Sequence, residues 1–107
     1  MKQFYQGDVS LISGVSIPKE VILKPIPKNG VIVAEGEITG HNHLITKERE
    51  NVEVEFGQDE KGFYFKIANG SAVIKHQEHA PITLNPGTWF VAHQWEYSEL
   101  EDRRVQD

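Results

Sequence analysis

Apolar and polar side chains alternate with period two through the middle of the chain. Val52, Val54 and Phe56 fall on one face of a segment whose other face carries Glu53 and Glu55. After a polar turn over 58–62 the alternation resumes, with Phe63, Phe65 and Ile67 opposite Tyr64 and Lys66. Successive strand residues point to opposite faces, so this pattern predicts antiparallel strands with one face buried. Asn69-Gly70 follows as a hairpin signal and leads into a strand over 71–75.

The rest of the chain reads as shorter strands separated by turn residues. Gly7-Asp8 opens a strand over 9–12, and Ser13-Gly14 closes it. Pro18, Pro25 and Pro27 mark 15–28 as a loop or edge strand, because proline has no amide donor for a ladder. Val21-Ile22-Leu23 is a candidate short strand within it. Asn29-Gly30 predicts a tight turn before the buried strand Val31-Ile32-Val33-Ala34, and Ile82-Thr83-Leu84 predicts another strand before the turn Asn85-Pro86-Gly87. The longest candidate runs over 88–97, with Trp89, Val91, His93, Trp95 and Tyr97 sharing a face. Residues 98–107 are polar and charged, and read as a short helix or a tail. The expectation is one all-β domain over 1–107, a small antiparallel barrel or sandwich of about seven to nine short strands.

Length and charge narrow the possibilities. At 107 residues the chain suits one domain with a core of its own. It has no cysteine, which excludes disulfides, thiolate metal sites and a cysteine nucleophile. A net charge of −5 argues against nucleic acid and anionic membrane as partners. No apolar run is long enough to span a bilayer, and the polar residues among the first nine do not fit a signal peptide. The expected location is the bacterial cytoplasm, or a virion if the chain is phage-encoded.

Four of the five histidines form two close pairs, His41/His43 and His76/His79. Strand residues i and i+2 face the same way, so His41 and His43 can converge on one ion. The spacing of His76 and His79 suits a bend, and Pro81 lies just beyond them. Neutral imidazole is a good ligand for zinc, iron, copper and nickel. The four histidines are therefore the candidate ligands of a divalent ion, zinc first and iron second. Pairs on opposite sides of the fold would end this idea. His93 lies among aromatics and reads as a packed, hydrogen-bonded histidine.

Two acids lie near the pairs. Glu48 completes a His-x-His-x4-Glu pattern with His41 and His43, which resembles the first metal motif of cupins and makes Glu48 a candidate ligand. The resemblance is partial. The cupin motif has a glycine six residues before its first histidine, whereas Gly36 lies five before His41, and Pro86-Gly87 followed by His93 matches a second cupin motif only loosely. Glu78 reads as a solvated charge, or as a partner of a ligating imidazole. No Gly-x-Ser-x-Gly elbow and no glycine-rich phosphate loop is present. Trp89, Trp95 and Tyr97 alternate in the manner of core packing or a subunit interface.

Six segments together resemble a family of short bacterial and bacteriophage proteins with no assigned reaction. They are Gln6-Gly7-Asp8-Val9, 36–43 (Gly-Glu-Ile-Thr-Gly-His-Asn-His), His76-Gln77-Glu78-His79, Pro86-Gly87-Thr88-Trp89 with Gln94-Trp95-Glu96-Tyr97, and Arg103-Arg104-Val105. The resemblance favours the two histidine pairs over His93 as the site. The leading expectation is a small metal-binding β protein. The alternative is a structural or interaction protein, such as a phage capsid accessory, acting as a homo-oligomer or within a virion.

Overall fold

The structure is a computed structural model, and it describes residues 1–35 and 42–93. Ten short strands fall within them: β1 Gln3–Gln6, β2 Val9–Ser13, β3 Lys24–Pro25, β4 Val31–Glu35, β5 Asn42–Lys47, β6 Glu53–Gln58, β7 Gly62–Ala68, β8 Ala72–Lys75, β9 Ile82–Leu84 and β10 Gly87–Ala92. They form two antiparallel sheets. One is six-stranded, in the order β1-β2-β10-β7-β6-β3, and the other is four-stranded, in the order β4-β5-β8-β9. The sheets do not close on each other, so the architecture is a sandwich and the barrel expectation is dropped. No helix among the described residues is long and apolar enough to cross a membrane. The expected helix or tail over 98–107 lies outside the described residues.

The core forms where the alternation predicts it. Val54, Phe56, Phe63, Phe65 and Ile67 are buried together with Leu11, Ile45, Ile74, Leu84 and Val91. Trp89 and Val91 lie on the buried face of β10, and His93, just past its end, is buried too, while Trp95 and Tyr97 of the expected strand over 88–97 lie outside the described residues. Tyr64 departs from the pattern, being buried on the expected polar face. Its ring packs on Phe90 at 5.0 Å between centroids, and its hydroxyl donates to Asp59. Phe90, the cross-strand partner of Tyr64 on β10, covers it there, while Lys66 on the same face stays exposed.

Two turns do something other than expected. Asn69 (φ 62°) and Gly70 (φ 135°) make a turn, but it does not join paired strands. It carries the chain from β7 in one sheet to β8 in the other, and β8 then pairs with β5 and β9. A tight turn fits a sheet-to-sheet corner as well as a hairpin, and sequence alone does not separate the two. The short strand near the prolines falls on Lys24–Pro25 rather than on 21–23. It pairs with Phe56 and Glu55 at the outer edge of its sheet, where a missing amide donor is tolerated.

Candidate functional site

Strand register alone brings the two histidine segments together. Strands β5 and β8 are antiparallel, with Leu44 opposite Lys75. One step further along the same register sets His43 against His76. Their ring centroids are 4.3 Å apart. His79 follows on the loop between β8 and β9, with its ring 4.7 Å from His76 and 6.3 Å from His43. The three rings form a nearly right-angled triangle with His76 at the apex. His43, His76 and His79 are thus brought to one place, while His41 lies outside the described residues.

His43 is the buried member, 6% exposed, on the inward face of β5 shared with Ile45. Opposite it, the pairing of β4 slips by one residue between Ile32 and Ala34, a bulge centred on Val33. His76 is half-buried and His79 exposed, so the cluster opens to solvent along the β8–β9 loop.

A third segment completes the cluster, and spacing among the histidines gives no hint of it. Gln6, buried at the end of β1, sits 2.9 Å from His43 Nδ1 through its Oε1. Its Nε2 donates to the carbonyl oxygens of Ile74 (3.0 Å) and Ala80 (2.8 Å). Two carbonyls can only accept, so the amide nitrogen must face them and the amide oxygen must face His43. That oxygen accepts, so His43 Nδ1 carries the proton. Gly7 comes next, at φ +60°. A Cβ there would lie 2.7 Å from His79 Nε2, so the turn and His79 are in close approach. Asp8 completes the turn into β2.

Electrostatics keep His43 neutral. Burial pushes its pKa down from the ordinary 6.5, and the neighbouring His76 and His79 push it further, to about 4. Asp8 opposes the shift without cancelling it. At neutral pH this imidazole therefore has a lone pair on Nε2 and a proton on Nδ1.

Hydrogen bonds from outside hold the loop bearing His76 and His79. Asn42 N–H donates to Gln77 Oε1 (3.0 Å), and Ala80 O accepts from Gln6. Within the loop, Glu78 N–H donates to His76 Nδ1 at 3.0 Å. Among the described residues, no three His, Asp or Glu side chains already stand at ligand spacing around a common point. A cavity of about 240 Å³ flanks His76, lined by Asn42, Leu44, Lys75 and Gln77.

Other candidates lie elsewhere. Glu48 follows the far end of β5, about 16 Å along the strand from His43 at about 3.3 Å per residue. Its carboxylate approaches Arg49 at 3.7 Å. Because β5 runs straight through to Lys47, the cupin-like spacing does not fold Glu48 back onto the histidines. A larger hollow of about 580 Å³ lies at that end of β5, lined by Lys47, Glu50, Glu55 and Lys66 among others. Glu55 and Lys66 are cross-strand partners there, and no histidine lines it. His93 is packed as expected, edge-on to Phe63 at 4.9 Å, with Nε2 3.0 Å from Asp59 O. Asp59 anchors the β6–β7 turn. Desolvation raises its carboxyl pKa, but hydrogen bonds from Lys61 N–H, Gly62 N–H and the Tyr64 hydroxyl outweigh this and hold it below the usual value.

The family described as a domain of unknown function (DUF8820) matches residues 5–94. The chain belongs to that family, and the match runs from the end of β1 through β10 and includes Gln6, His43, His76 and His79. No curated protein and no solved structure matches the chain significantly.

Proposed function

We propose that the protein binds a divalent transition-metal ion, zinc foremost, through His43, His76 and His79. The observation that carries this reading is the convergence of three imidazoles, one of them buried and neutral, from two separate strand-and-loop segments. Zn–N bonds of about 2.0–2.1 Å at tetrahedral angles set ring centroids roughly 5 Å apart. The separations of 4.3, 4.7 and 6.3 Å bracket that value. An all-imidazole donor set without thiolate suits zinc, copper, nickel or iron better than magnesium or calcium.

Loading needs a small adjustment. His76 Nδ1 accepts the Glu78 N–H, and a ligating Nδ1 would exchange that bond for the ion. Between the hydrogen bonds at Gln77 and Ala80, the exposed side chain of His79 is the part of the site able to shift. His43 is fixed and acts as the anchor. His41 is the fourth candidate: with it the ion is enclosed by four nitrogens, and without it solvent completes the shell. A solvent-completed three-histidine zinc would lower the pKa of its water to about 7, the basis of hydrolytic chemistry.

Calorimetric titration of untagged, metal-stripped protein with zinc chloride tests the reading. The expected result is one saturable site, lost in His76→Ala/His79→Ala. Retained affinity in His41→Ala would assign the fourth position to solvent. A folded wild type that takes up no zinc would overturn the proposal.

A further inference from the structure

We infer that Gln6 is the positioning residue of the site: it fixes the Nδ1–H tautomer of His43 and so dedicates Nε2 of that ring to a ligand. The inference rests on the metal-binding reading for its consequence, but its structural content can be tested without metal.

A glutamine side chain offers two N–H donors and one carbonyl oxygen. Both donors of Gln6 are used on backbone carbonyls, Ile74 O at 3.0 Å and Ala80 O at 2.8 Å. Turning the amide over would set its oxygen against two carbonyl oxygens and its nitrogen against His43. The orientation is therefore locked by main chain, which no side-chain motion can relax. His43 Nδ1 at 2.9 Å has an acceptor in front of it and must donate. A neutral imidazole has one proton, so Nε2 is left as the lone-pair nitrogen. Metal-bound histidines commonly donate their other ring N–H to a carboxylate or carbonyl oxygen in this way, and the partner both orients the ring and raises its basicity.

The three hydrogen bonds also tie the parts of the site together. Gln6 ends β1 in the six-stranded sheet, and Ile74 belongs to β8 in the four-stranded sheet. Ala80 lies on the loop that carries His76 and His79. One buried amide thus links the anchor ligand, the opposite sheet and the loop bearing the other two. A purely structural glutamine would satisfy buried groups without selecting a tautomer, and that difference can be measured.

The first experiment is long-range ¹H–¹⁵N correlation NMR on metal-free wild-type protein at neutral pH, which reads the tautomer of each histidine ring. The expected result is the Nδ1–H form at His43, against the Nε2–H form that free imidazole side chains favour. An Nε2–H signature at His43 would overturn the inference while leaving zinc binding intact. The second experiment compares zinc titrations of wild type with Gln6→Leu and Gln6→Met. Removing such an outer partner weakens metal affinity about 10–100-fold. Unchanged affinity in a folded variant would overturn the inference. A wild type with the Nδ1–H form that binds no zinc would instead refute the metal reading alone. Should both variants fail to fold, the wild-type spectrum still decides the tautomer.

Discussion

Gly7→Ala separates the site from the scaffold, because a second glycine supplies the control. Gly7 has φ +60° and Gly14 has φ +77°, both in the left-handed region. Forcing an alanine into that region costs about 1–2 kcal/mol at either position. The surroundings differ. At Gly7 the new Cβ would lie 2.7 Å from His79 Nε2, closer than such contacts allow. At Gly14 its nearest neighbour is Met1 Cγ at 3.5 Å, an ordinary contact. The His79 ring is exposed and swings away rather than straining the fold. Both variants should therefore lose similar stability, roughly 5–15 °C in Tm for a domain of this size. Only Gly7→Ala should lose zinc affinity, by about tenfold or more, since a ligand is displaced. Melting curves of the metal-free proteins and zinc titrations of both variants are the assays. Equal zinc affinity in the two variants would refute the placement of His79 at the site. A Gly7→Ala loss of stability far beyond that of Gly14→Ala would refute the argument that the ring yields freely.

Two further outcomes follow from the same geometry. The His43 pKa lies at about 4 in the fold against 6.5 in an unfolded chain. The unfolded state then binds the extra proton first, so stability is flat above pH 6.5 and falls as pH drops towards 4. At about 1.4 kcal/mol per pKa unit the full shift is about 3 kcal/mol, and solvent screening on the open His79 side reduces this to roughly 1–2 kcal/mol. Urea midpoints measured across that window should show a shallower slope in His43→Gln than in wild type, and an equal slope would contradict the assignment. Thr46 Oγ1 is buried with no hydrogen-bond partner among the described residues, so Thr46→Val should raise stability by about 1 kcal/mol, and a lower urea midpoint would refute this.

The period-two pattern over 52–68 was enough to read the hairpin β6–β7 and its core face, because a half-buried antiparallel pair writes its geometry directly into polarity. Sheet membership was not legible. Asn69-Gly70 marks a turn, but whether the next strand pairs back or crosses to a second sheet depends on long-range partners such as β5. The site was legible in the same partial way. Residue type and spacing single out His41, His43, His76 and His79; the fold gathers the last three, and His41 lies outside the described residues. Gln6 stands out only as a member of the Gln6-Gly7-Asp8-Val9 segment, because the role proposed for it comes from a buried amide meeting two backbone carbonyls far along the chain. The motif Gln6-Gly7-Asp8-Val9 was visible as a turn, and only the fold shows that the turn packs against the histidines. Glu48 shows the converse: a suggestive spacing that a straight strand carries away from the site.

The most direct measurement of the central claim is the metal content, by mass spectrometry, of untagged protein dialysed after exposure to equimolar zinc, beside a His43→Ala/His76→Ala variant. The expected result is about one zinc per wild-type chain, as a single mononuclear site requires, and none in the variant. A folded wild type that retains no zinc, or a variant that retains as much, would contradict it.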